Sequence, residues 1–220
     1  MRSIVLVTAC AILAGAWSPA FSQTADMARF HRASVRALNR ENATEVITKA
    51  MKGKKPEEAR ASGQQLAARG VVRLKADDLK RRAELMLEFT SRAGSKVCAA
   101  WSRGTLTSEQ TTSMIAKLDS AAFDDWVVLS VRSMTAEVRG KPKAFNGAQK
   151  DVTRMFEVLA TVMTPDENQR FHAVMTGFDG ASNQDACWFG QQLYRSALAL
   201  EKKQREHTLR TLAWIELKPS

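Results

Sequence analysis

Two cysteines, Cys98 in AGSKVCAAWSRG and Cys187 in SNQDACWFGQQLY, are the side chains of this chain whose chemistry is easiest to specify. Each falls on an apolar face of a helical pattern, and Trp101 and Trp188 follow closely behind. Cysteines so far apart do not form the Cys-x-x-Cys unit of a redox centre. In an oxidising compartment an even pair is most simply one bridge, and we expect Cys98 to Cys187, with two buried thiols as the alternative. The other groups able to do chemistry are scattered. His31, His172 and His207 lie on three different helical segments and lack the i, i+4 spacing of a helical metal site. Asp77-Asp78 and Asp124-Asp125 stand near helix starts, where carboxylates offset the positive end of the helix dipole. There is no Gly-x-Ser-x-Gly elbow, glycine-rich phosphate loop or zincin motif. The sequence therefore suggests no catalytic residue, no metal and no cofactor.

The elements that must position these residues begin after an export signal. Met1-Arg2, the apolar run Ile4 to Trp17 and Ser18-Pro19-Ala20-Phe21-Ser22 have the layout of a secretory signal peptide, 1–22, cleaved after Ser22. That run is shorter than the roughly 20 residues that span a bilayer, and nothing in the mature chain, 23–220, is apolar for long enough to do so. The expected location is the periplasm. Val7-Thr8-Ala9-Cys10 resembles a lipobox, so a lipoprotein attached through Cys10 is the alternative.

Helical periodicity dominates the mature chain. Gly53-Lys54-Lys55-Pro56-Glu57-Glu58 is a break and a fresh helix start, with proline at the first helical position. Leu79, Ala83, Met86, Thr90, Ala93, Val97 and Trp101 run at three- and four-residue steps through the first cysteine, with Gly94 a possible break. Phe123, Val127, Val131, Met134 and Val138 continue that spacing past Trp126-Val127-Val128-Leu129, which favours helix over strand. A last helix from Ala186 is expected to run on through the polar stretch Glu201 to Thr208 and to project there. The segments imply an all-α, single-domain bundle of about seven or eight helices over 23–220, stapled by one disulfide.

The chain is basic. Without the signal peptide it has 32 Lys and Arg against 23 Asp and Glu, a net of +9. Such a balance favours anionic partners, and three clusters are candidates for the surface that meets one: Lys52, Lys54 and Lys55; Lys80, Arg81 and Arg82; Lys202, Lys203 and Arg205. They lack the interleaved aromatics of single-strand binding, and export argues against a nucleic acid. Met86, Met134, Met155, Met163 and Met175 lie in apolar patterns, which suits a core or an adaptable binding surface.

Leu106-Thr107-Ser108-Glu109-Gln110 resembles the Leu-Thr-x-x-Gln motif of the small helical periplasmic chaperones of the Spy and CpxP type. Met163-Thr164-Pro165-Asp166-Glu167 is a looser second copy, with Met for Leu and Glu for Gln. The resemblance covers two short strings and implies holdase-like binding of unfolded clients. The expectation is an exported, non-enzymatic protein that binds a protein or an anionic envelope component, as a chaperone or as an inhibitor or immunity protein. The competing expectation is an envelope enzyme, such as a glycan hydrolase, whose Asp and Glu residues converge from distant positions.

Overall fold

A computed structural model describes residues 24–217. Residues 1–22, where a signal peptide is expected, and Cys10 among them lie outside the described residues. Eleven α-helices and two short 3-10 turns are present among those residues, and no strand. They are α1 (Thr24–Arg40), α2 (Thr44–Met51), α3 (Pro56–Gly70), α4 (Ala76–Arg92), α5 (Ser95–Ser102) and α6 (Ser108–Ala116), followed by α7 (Ser120–Arg139), α8 (Gln149–Ala160), α9 (Pro165–Thr176), α10 (Asn183–Ala199) and α11 (Lys202–Ile215). The all-helical class agrees with the periodicity. The count of seven or eight is too low, and two breaks account for much of the difference. Gly94 takes an extended conformation (φ −63°, ψ 156°), which separates α4 from the short helix carrying Cys98. Leu200 is also extended (φ −70°, ψ 154°), so the last helix ends before the polar stretch. The chain resumes as α11, which packs against α4, α8 and α10 instead of projecting.

Local sequence sets the boundaries. The Thr107 amide donates to the Gln110 side chain at 3.0 Å while the Gln110 amide donates to Thr107 Oγ1 at 3.1 Å, a capping box for α6. Thr164 and Glu167 reciprocate in the same way at α9, with Pro165 in the first turn. Asp119 accepts from the Ala122 amide to start α7, which ends on Gly140 in the left-handed region, where glycine carries no Cβ penalty.

The described residues gather into two compact units, one of 24–75 with 111–144 and the other of 76–110 with 145–217. Unit 1 is built round α7. Phe30 of α1 meets Phe123 edge-on at 6.2 Å, and Ala37, Leu38, Val127, Val131 and Met134 are all but fully buried. Gly70 at the end of α3 lies so close to α7 that a Cβ there would stand 1.8 Å from the Ser133 carbonyl oxygen. Unit 2 is built round α10, which contacts α4, α5, α8, α9 and α11. Leu79, Ala83, Leu85 and Phe89 bury one face of α4, as the three- and four-residue spacing requires. Gly190 lets α10 approach α5: a Cβ there would fall 2.6 Å from Ser102 Oγ and 2.7 Å from the Trp101 ring.

Candidate functional site

Cys98 and Cys187 form a disulfide joining α5 to α10. Cys98 is fully buried, and Gln191 Nε2 approaches its sulfur at 3.8 Å. Trp101 packs over Gly190 and lies 5.5 Å from the Tyr194 ring. Trp188, one residue past Cys187, instead lies under the Arg170 guanidinium at 4.3 Å. Arg103 fastens the same joint by donating to Asn183 Oδ1 and to the Ala181 carbonyl. With helix faces and side chains closing round it, the bridge acts as a staple between two helices.

A second constellation in unit 2 centres on the only tyrosine in the sequence. Tyr194 is 4% exposed and donates a short hydrogen bond to Glu216 Oε1, while Arg82 Nη2 pairs with Glu216 Oε2 at 2.6 Å. Burial, and then the adjacent Glu216 carboxylate, push the Tyr194 phenol well above the ordinary tyrosine range. For Arg82 burial acts against the charge, and Glu216 more than offsets it, so the guanidinium is held charged. This is a neutral phenol and an ion pair sharing one carboxylate, and it ties α4, α10 and the end of α11 together.

The histidines are not brought together. His31 and His172 are exposed, on α1 and α9. His207 on α11 lies 3.5 Å from Asp151 and edge-on to Phe145 at 5.7 Å. Among the described residues no group of three His, Cys, Asp or Glu side chains is placed to hold a metal ion. Asp124 receives both hydrogen bonds of a pairing with Arg36, which gives that carboxylate a helix-joining role.

The three basic clusters fare differently. Lys52, Lys54 and Lys55 are exposed in unit 1, on the turn between α2 and α3. In unit 2, Lys80 and Arg81 both pair with Glu84, at 3.2 and 3.4 Å, and Arg82 turns inward to Glu216 with its side chain 15% exposed. Lys202 and Lys203 are exposed, but Arg205 donates back to the carbonyls of Leu198 and Leu200 and closes the end of α10. The charge is partitioned accordingly. The described part of unit 1 has 17 Lys and Arg against 9 Asp and Glu, a net of +8, whereas that of unit 2 has 14 of each. Clusters read along the sequence missed this partition, because the two units are assembled from alternating stretches of chain.

An aromatic layer is likewise invisible in the linear pattern. Phe171 stacks on Phe189 at 4.6 Å, Phe178 lies 5.1 Å from Phe189, and Phe156 lies 6.0 Å from Phe171. Met163, Met175, Trp188 and Leu193 pack round them, half-buried. Met86, Met134 and Met155 are buried, so of the five methionines in apolar patterns only Met163 and Met175 reach toward the surface. Comparison with family models, with curated proteins and with solved structures found no match to this chain.

Proposed function

We propose that the mature chain, 23–220, acts as an exported, non-enzymatic helical protein of the periplasm, one that binds a macromolecular partner with anionic character. The observation that carries this reading is the charge partition, a net of +8 on one unit and of zero on the other. A basic balance adopted for solubility has no reason to gather on one unit, whereas a partner of opposite sign rewards it. The disulfide supports export, since such bridges persist in oxidising compartments. No described helix is long and apolar enough to cross a membrane. The test is a pull-down from envelope extract at low and then moderate salt: a component retained at low salt and released as charges are screened is expected. An extract that yields no component at either salt overturns the proposal.

The half-buried layer of Phe156, Met163, Met175, Phe178 and Trp188 favours a chaperone within this class, because methionine and aromatic side chains adapt to varied apolar segments. A chaperone suppresses aggregation of unrelated unfolded clients. An inhibitor or immunity protein does not, and shows one tight partner instead.

A further inference from the structure

The charge of unit 1 is concentrated further at one end, where α7 terminates. There Arg139 Nη2 donates to the Asn42 carbonyl, in the link between α1 and α2. Arg73 pairs with Glu137 at 2.7 Å and donates to the Pro142 carbonyl, which holds the loop after α7 beside the link before α4. These contacts bring three backbone segments together, and each ends in exposed cations: Arg40 on the first, Lys75 on the second, and Arg139, Lys141 and Lys143 on the third. The nearby acids of unit 1, Glu41 and Glu137, are engaged by Arg132 at 2.9 Å, with Arg40 at 3.9 Å from Glu41, and by Arg73. Counting those two arginines, the region holds seven cations against two carboxylates of unit 1, and Asp77 and Asp78 follow Lys75 at the start of α4.

Cations at helix C-termini offset the dipole, and that accounts for Arg40 and Arg139. It does not account for Lys75, Lys141 and Lys143, which lie beyond the helix ends. We infer that this end of unit 1 docks on a bilayer surface bearing phosphate headgroups, an inference that rests on the anionic-partner reading. Three observations set the partner's form. The outward charges are spaced over three segments, so they suit anions that can rearrange beneath them, as lipids do. They include lysine heads on flexible stems, which attract as point charges without the fork that grips a single phosphate. Arg73, whose fork would suit one, is already held by Glu137 and Pro142. Clustered basic residues near an anionic leaflet gain attraction roughly in proportion to their number and lose it with salt.

The experiment is co-sedimentation of the mature protein with vesicles of phosphatidylglycerol and phosphatidylcholine in equal parts, against phosphatidylcholine alone. Two variants with the same change in net charge are compared: Lys75→Glu/Lys141→Glu/Lys143→Glu in unit 1, and Lys150→Glu/Lys202→Glu/Lys203→Glu in unit 2. All substituted positions are exposed, and circular dichroism checks that both variants retain their helices. Binding only to the anionic vesicles is expected, reduced roughly a hundredfold or more by the first variant and far less by the second. Equal losses would mean that binding follows net charge and would overturn the assignment of the surface. Release by millimolar inorganic phosphate at constant ionic strength would replace the bilayer with a discrete phosphate site. Absence of vesicle binding, with an envelope component still retained in the pull-down, would sink this inference and leave the partner reading standing. Retention of heparin or single-stranded DNA without retention of vesicles would transfer the surface to another polyanion.

Discussion

Units 1 and 2 are both helices gathered round one long helix, α7 in the first and α10 in the second, and both use a glycine to bring helices into close contact. They differ in how the remaining joints are made. Unit 1 uses ion pairs to α7 from segments distant in sequence: Arg36 to Asp124, Arg132 to Glu41 and Arg73 to Glu137. Unit 2 uses a disulfide and the Arg82–Tyr194–Glu216 cluster. Ion pairs contribute little to stability where they are exposed, as Arg36 with Asp124 is, typically under about 1 kcal/mol each. In unit 1 they have a second effect, because Glu41, Asp124 and Glu137 join helices while Glu58 and Asp119 serve helix starts. With five of its nine carboxylates occupied in this way, unit 1 turns surplus cations outward. Unit 2, joined covalently, balances its charges locally through pairs such as Arg92 with Glu88 and Arg210 with Glu206.

The sharpest way to break this comparison is to remove the covalent joint. Cys98→Ser/Cys187→Ser is expected to destabilise the protein by about 2 to 4 kcal/mol, since the bridge closes a long loop of chain. Amide hydrogen exchange followed helix by helix locates the effect: protection should fall in α5 and α10 and hold in α1 and α7. Equal loss in both units would show that they unfold as one cooperative body. The counterpart in unit 1 is Gly70→Ala. The added Cβ meets backbone at Ser133, which has no rotamer through which to retreat, so a cost of about 1 to 3 kcal/mol is expected. In Gly190→Ala the nearest atoms belong to the side chains of Ser102 and Trp101 and stand at 2.6 to 2.9 Å, farther than the Ser133 carbonyl oxygen stands at Gly70, so a smaller fall in denaturation midpoint is expected.

Next in size is Tyr194→Phe, which removes the phenol hydrogen but leaves Arg82 and Glu216 paired, at a cost of about 1 to 2 kcal/mol. Its pH dependence identifies it. The folded phenol holds its proton to a higher pH than the unfolded one, so the folded state binds more protons once the unfolded phenol begins to titrate near pH 10. The stabilisation is therefore complete below about pH 10 and is lost as pH rises toward the folded value. Chemical denaturation of wild type and variant at neutral and alkaline pH should show the two stabilities converging as pH rises.

Helix starts were legible in the sequence wherever a side chain acts on its own backbone. Pro56 falls at the start expected of it, and Thr107 with Gln110, and Thr164 with Pro165 and Glu167, stand at helix starts through the cap chemistry that their residue types carry. The disulfide was legible because compartment and cysteine count leave few choices. The break at Leu200 was not, since Ala199, Leu200 and Glu201 carry no proline or glycine and the turn is held from a distance by Arg205. Nor was the inward turn of Arg82, which depends on Glu216 far along the chain and on Tyr194 between them. The charge partition was hidden for a related reason. Lys75 and Lys141 are 66 residues apart in sequence, and tertiary contacts alone place them in the same region of unit 1.

The smallest expected effect separates cap chemistry from the motif resemblance at Thr164. Its Oγ1 accepts from the Glu167 amide, and Thr164→Ala should lower stability by about 1 kcal/mol through the lost cap. Glu167 is held below the usual carboxylate range first by the Thr164 amide and then by the Thr164 hydroxyl, and Asp185 is lowered by Arg170 and then Ser182. For such groups the contribution to stability is present above the unfolded carboxylate value and is lost as pH falls through the lower folded one. The difference between wild type and Thr164→Ala should accordingly be steady at neutral pH and narrow in acid, as followed by thermal denaturation. If the Thr-x-x-Glu string serves client binding instead of the helix start, Thr164→Ser, which keeps the hydroxyl, would reduce suppression of client aggregation without moving the melting temperature. An unchanged melting temperature with Thr164→Ser and a lowered one with Thr164→Ala, at equal holdase activity, would assign the string to folding alone.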